Sequence, residues 1–158
     1  MIVGDTMIDN NLKDCREDLD MTQTELGNIF CVSKYTVCNW EKGRDTMPFD
    51  KIIKFCNLYD YSLDMLMGFK RRNIRYGSFD TGIENIATRL KEFRKEFGLS
   101  QQKLADDCKI SRSTYAGYEA CDYLISTLTV YSICKKYNIS ADWLCGRTDK
   151  KYIDDEKK

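Results

Sequence analysis

Lys34, Tyr35 and Asn39 fall within six consecutive residues, and Arg112 and Ser113 occupy the matching places 78 positions further on. An ammonium, a guanidinium, an amide, a phenol and a hydroxyl are hydrogen-bonding and anion-pairing groups, suited to reversible recognition of a polar edge or a phosphate. They are not a bond-making set. The chain has no His, which removes the usual general base, the neutral-pH proton switch and the commonest metal ligand. No nucleophile–base pair or glycine-rich phosphate loop can be assembled. The carboxylate pairs Asp106–Asp107 and Asp154–Asp155 are adjacent, so on a helix they diverge. The eight cysteines form no C-x-x-C pair, so they are read as structural thiols rather than a zinc site. The expectation is a binding protein with no catalytic residues, no metal and no cofactor.

The elements that carry these residues occur twice. Shifted by 78, residues 12–68 align with 90–146 without a gap. Identical pairs include Arg16/Arg94, Gln23/Gln101, Ser33/Ser111, Glu41/Glu119, Cys56/Cys134 and Gly68/Gly146. Pairs such as Val32/Ile110 and Trp40/Tyr118 keep their chemistry. This is a tandem duplication. Each copy reads as five short helices. In the first, Leu12, Cys15 and Leu19 have helical spacing, Thr22 and Glu25 form a capping box, and Ser33 caps the third helix. Ile52, Ile53, Cys56 and Tyr59 form an apolar stripe on the fourth, and Ser62 to Gly68 holds the last turn. In the second copy, Thr81 and Glu84 read as a capping box that starts the first helix near Gly82. Helices then follow Ser100 and Ser111, with the last two near 127–137 and 141–146. The predicted class is all-α. Its parts are a first domain at 9–68, a basic linker at 69–80, a second domain at 81–149 and a frayed charged tail at 150–158.

Val32, Val37 and Trp40 have the spacing of a packed face on the third helix, which leaves Lys34, Tyr35, Thr36 and Asn39 on or beside the opposite one. Trp40, Tyr118 and Trp143 are read as core. The stretches "TQTELGNIFCVSKYTVCNWEKGR" and "SQQKLADDCKISRSTYAGYEA" resemble the XRE family of helix-turn-helix domains, the class of the lambda-type phage repressors. "SADWLCGRTD" is similar to the close of many such domains. The resemblance covers about 115 residues and implies two lambda-repressor-like five-helix domains. It also implies a transcriptional regulator, of bacterial or mobile-element type and acting as a repressor, that sets a third helix in the major groove of double-stranded DNA. Carried over residue by residue, it makes Lys34, Tyr35 and Asn39 base-reading, with Ser33 and Thr36 flanking. Gln23 becomes a brace, the helix start at Thr22 a phosphate seat, and Lys42 and Arg44 backbone contacts. In the second copy the corresponding residues are Gln101, Ser111, Arg112, Ser113 and Thr114, with Arg112 able to take a guanine. There the following loop departs from the pattern: Ala120 and Asp122 stand where Lys42 and Arg44 stand in the first copy.

Lys plus Arg and Asp plus Glu are both 25, so bulk charge does not carry the chain to nucleic acid. Two docking geometries are open. Both copies could occupy half-sites ~34 Å apart, since residues 69–80 extended at roughly 3.3 Å each would reach ~40 Å. Alternatively the second copy mediates a homodimer, which the weaker loop at Asp122 favours. The rival class is a protein-binding module, an antitoxin or an inhibitor of a nucleic-acid enzyme. No secretory signal or membrane span is read, no small-molecule substrate is evident, and a cytoplasmic location is expected.

Overall fold

The computed structural model describes residues 9–153, and most of its helices begin in the same way. A serine stands in extended backbone, and its Oγ accepts the N–H three residues on, satisfying a donor that the helix start would leave orphaned. Ser33 opens α3 (Lys34–Glu41), Ser62 opens α5 (Leu63–Leu66) and Ser100 opens α7 (Gln101–Asp107). Ser111, Ser126 and Ser140 do the same for α8 (Arg112–Glu119), α9 (Thr127–Tyr137) and α10 (Ala141–Leu144). At α2 (Gln23–Phe30) the predicted box is complete: Thr22 Oγ1 accepts the Glu25 N–H, and the Thr22 N–H donates to the Glu25 carboxylate at 2.7 Å. The remaining helices are α1 (Leu12–Asp18), α4 (Phe49–Tyr59) and α6 (Ile83–Glu96).

The duplication is visible in the bounds. α8, α9 and α10 begin and end 78 residues after α3, α4 and α5. The described residues divide into two units between Arg75 and Tyr76. In the first, α2 packs on α3, Leu26 and Val37 are fully buried, and Phe30 meets Trp40 edge-on at 6.4 Å. In the second, Leu104 and Tyr115 take the same places, and Tyr118 and Trp143 are buried as expected. Cys56 and Cys134 are fully buried packing residues. Among the described residues the ten helices are short and no strand runs beside them; an isolated bridge joins Ile139 to Tyr152. Among the described residues no helix is long and apolar enough to cross a membrane.

Two expectations need correction. The Thr81–Glu84 box does not form. The chain enters α6 one residue later, with Gly82 as cap, so Thr81 lies outside the helix and its Oγ1 is buried without a hydrogen-bond partner. Residues 69–80, read as a basic linker, carry several local contacts. Phe69 and Lys70 N–H groups donate to Asp64 O, and Asn73 both donates to Asp60 O at 2.8 Å and accepts the Ser62 N–H at 2.7 Å. Further on, Gly77 O accepts from Arg147, whose guanidinium is buried against Asp142 at 3.0 Å. Nor is the start of the tail frayed: Ser140 N–H donates to Lys151 O, Ile153 N–H donates to Asn138 O, and the Lys151 ammonium pairs with Glu96. The rest of the charged tail, with Asp154 and Asp155, and the first eight residues lie outside the described residues.

One polar cluster belongs to the second unit alone. The Asp107 carboxylate accepts from Lys103 Nζ at 2.8 Å, Lys136 Nζ at 2.6 Å and Tyr137 Oη at 2.5 Å. Ile29, Glu25 and Leu58 hold the matching acid and lysine positions of the first unit. Burial pushes the Asp107 carboxyl up, but the three donors outweigh it and hold the group well below the usual carboxylate range. A group whose folded pKa is depressed stabilises fully above its unfolded value, about 3.9, and loses that contribution as pH falls below it. Asp107→Asn is therefore expected to destabilise the second unit at pH 7, with a penalty that shrinks toward pH 3. Urea midpoints of Trp143 fluorescence at several pH values measure this, and parallel pH profiles for parent and variant would contradict it.

Candidate nucleic-acid interface

The turn between α2 and α3 is closed tightly by the backbone. Val32 N–H donates to Gly27 O at 2.9 Å, and a Cβ on Gly27 would lie 2.6 Å from Val32 O, so a hydrogen is what this close approach allows. A buried ion pair fixes the far end of α3. Arg16 Nε donates to Glu41 Oε1 at 2.5 Å, Arg16 Nη2 to Glu41 Oε2 at 3.3 Å, and Arg16 Nη1 to Met21 O at 2.6 Å. Gln23 Nε2 donates to Glu41 Oε2 at 2.8 Å, so the first residue of α2 holds the last residue of α3. Asn10 Nδ2 adds a bond to Trp40 O at 3.0 Å. The third helix thus has its inner face in the core and its end clamped, which leaves its outer face rigidly presented.

On that face Lys34 and Tyr35 are exposed, Tyr35 by 70 %, and the Lys34 ammonium lies 5.3 Å from the centre of the Tyr35 ring. Asn39 is half-buried, and its amide has no partner among the described residues. Ser33 and Thr36 are occupied with each other: the Thr36 N–H donates to Ser33 Oγ at 3.2 Å, and the two hydroxyls are 3.2 Å apart. Lys42 and Arg44 are exposed just beyond the helix. At the start of α2, both the N–H and the hydroxyl of Thr22 are taken by Glu25, so the amides of Gln23 and Thr24 are the ones left to face outward.

The second unit keeps the clamp and changes the face. Arg94 Nε and Nη2 donate to the two Glu119 oxygens at 2.7 and 3.0 Å, and Gln101 Nε2 donates to Glu119 at 3.0 Å. Tyr115 Oη adds a fourth bond at 3.0 Å, where Val37 stands in the first unit. Burial beside Glu119 pushes the Tyr115 phenol up, so it stays a donor. Arg112 and Ser113 are exposed at the head of α8, and the Arg112 guanidinium pairs with nothing among the described residues. Ser111 Oγ lies 3.1 Å from Ser113 Oγ and 2.8 Å from Thr114 Oγ1. Gly117, which matches the half-buried Asn39, is buried, and the Tyr123 ring lies directly over it.

Of the residues named from sequence, Lys34, Tyr35, Arg112 and Ser113 are exposed at the heads of α3 and α8, whereas Gln23 and Gln101 are engaged in the clamp, whose ion pairs the sequence alone did not reveal. Arg16 with Glu41 and Arg94 with Glu119 were visible only as repeated identities 25 positions apart within each copy. Two capped helices meeting at a tight turn, the second buried on one side and polar on the other, define a helix-turn-helix domain. A helix-turn-helix model matches residues 12–66, and a helix-turn-helix domain model matches residues 87–150. Two relatives, both from Bacillus subtilis (strain 168), are described as uncharacterized HTH-type transcriptional regulators. YgzD is 37% identical over 62 residues, which is 37% of this chain and 94% of YgzD. YobD is 33% identical over 61 residues, which is 39% of this chain and 54% of YobD. No solved structure is significantly similar. The chain belongs to the XRE-type helix-turn-helix family, with two of its domains in tandem.

Proposed function

We propose that the protein is a sequence-specific regulator of transcription that binds duplex DNA and represses, with α3 of the first unit in the major groove as its principal reader. The observation that carries this is the outer face of α3. A cation at its head and an unsatisfied amide one turn further on project from a helix whose other face is buried. A helix with side chains is about 10–12 Å across and the groove is about 12 Å wide, so such a face has room to reach base edges. Lys34 and Asn39 supply the base contacts, with Tyr35 beside them. Lys42, Arg44 and the start of α2 at Thr22 and Gln23 supply phosphate contacts. In the second unit Arg112 and Ser113 are the candidate readers, flanked by Ser111 and Thr114. The working form is a homodimer.

The test is selection of bound duplexes from a random library, followed by affinity measurement across salt concentrations and light scattering of the complex. A single enriched sequence class, a log–log salt slope of about −2 or steeper, and two chains per complex are expected. The loop at Asp122 and Tyr123, with the zero net charge, favours a second reading as a protein-binding module. Salt-insensitive or absent binding to duplex, with copurification of a non-identical protein, would select that reading instead.

A further inference from the structure

We infer that Tyr123, a loop residue, replaces the mid-helix reader of the second unit and recognises the 5-methyl group of a thymine; this rests on the DNA-binding reading above. Asn39 and Gly117 hold the same place on their helices. In the first unit the loop residue matching Tyr123 is Asp45, whose carboxylate accepts the Thr46 N–H at 2.8 Å. The loop backbone takes the same course in both units, Arg44 N–H donating to Asn39 O at 2.9 Å and Asp122 N–H to Gly117 O at 3.0 Å, but in the second unit the side chain lies over the helix. Tyr123 Oη donates to Thr114 O at 3.1 Å, with Ser113 O at 3.4 Å, and the ring meets Tyr118 edge-on at 5.4 Å. A Cβ on residue 117 would lie 2.3 Å from Tyr123 Oη and 2.4 Å from Cζ, so only glycine leaves the ring this seat. Ser113, Thr114 and Gly117 share one face by their spacing, whereas Tyr115 and Tyr118 are buried on another. The phenol therefore sits on the face that carries Asn39 in the first unit.

The chemistry it offers differs from an amide's. Its one proton is committed to a helix carbonyl, so the residue, still 45 % exposed, has no donor to give and offers ring C–H beside its hydroxyl oxygen. Of the groups lining a major groove, the thymine 5-methyl is the apolar one. Asn39 by contrast suits adenine N6 and N7, and Arg112 at the head of α8 suits guanine. The two copies thus read different half-sites, which explains why one duplicated chain keeps two divergent recognition helices.

Duplexes enriched by the full-length protein are resynthesised with deoxyuridine in place of thymidine, one position at a time, which deletes only the methyl. At one position the parent is expected to bind about fourfold more weakly, the effect of one methyl leaving water. Tyr123→Ala should bind the thymidine duplex about fourfold more weakly and lose the distinction. Gly117→Ala, which favours the helix but expels the ring, should do the same with Tyr123 still present. Tyr123→Phe should keep the distinction. If no position is methyl-sensitive, if Tyr123→Ala retains the sensitivity, or if it binds more tightly than the parent, the assignment is overturned and the ring is a plug. Failure to enrich any duplex removes the DNA-binding reading itself, and this inference with it.

Discussion

Glu41→Ala is expected to cost the first unit about 3–5 kcal/mol, the usual result of removing one member of a buried ion pair. The side chains of Arg16 and Glu41 are 9% and 3% exposed. Without the carboxylate, the guanidinium keeps its bond to Met21 O and the exposed Glu17 carboxylate at 3.7 Å but loses its buried counter-charge, and Gln23 loses its acceptor. A unit of this size has a total stability of only about 3–9 kcal/mol, at roughly 0.05–0.15 kcal/mol per residue. The variant should therefore have its first unit largely unfolded near 37 °C while the second survives. The chain has two tryptophans, and Trp40 and Trp143 lie in different units. Urea titration of Trp40 fluorescence in a Trp143→Phe background isolates the affected unit. The paired change Arg16→Met with Glu41→Leu supplies the control. It leaves no buried charge and should fall within about 2 kcal/mol of the parent, or above it. A loss under about 1 kcal/mol for Glu41→Ala would mean that the pair does not hold α3.

That ion pair also marks where sequence reading stops. Helix starts were legible because a cap is a local event: Ser33, Ser111 and Thr22 act within three residues of themselves. The repeat transferred this to the second copy, where the 127–137 helix stands as read. Thr81 failed for an equally local reason, since Gly at the next position took the cap and moved the helix start by one residue. The clamp between Arg16 and Glu41 depends on how α1 and α3 meet, which no spacing rule encodes. The seat of the Tyr123 ring likewise depends on the vacancy above Gly117, six residues away in sequence. The outer face of α3 could be read because helical periodicity separates Val37 and Trp40 from Lys34 and Asn39. What that face touches is a matter of chemistry outside the chain.

Lys34→Ala combined with Asn39→Ala should abolish sequence preference at the half-site of the first unit while leaving general attraction to DNA nearly intact. Each good base contact contributes about 1–3 kcal/mol of discrimination. The two residues are five apart, roughly 7.5 Å along the helix, and share no partner, so their effects should add. Together they amount to about 2–6 kcal/mol, a loss of roughly 30-fold to 10⁴-fold on the selected duplex. On random duplex the loss should be small. Asn39 is neutral, so it leaves the salt slope unchanged, and Lys34 flattens it by at most about one unit. Lys42→Ala with Arg44→Ala should do the reverse, weakening selected and random duplexes alike and flattening the slope by about two units. Neither pair touches the core, so the Trp40 unfolding midpoint should move by no more than about 0.5 kcal/mol. Running both variants against both duplexes separates reading from holding. If Lys34→Ala with Asn39→Ala retained the parent's preference at that half-site, the assignment of base reading to Lys34 and Asn39 would be overturned, because the exposed Tyr35 would be the one named reader left on the outer face of α3.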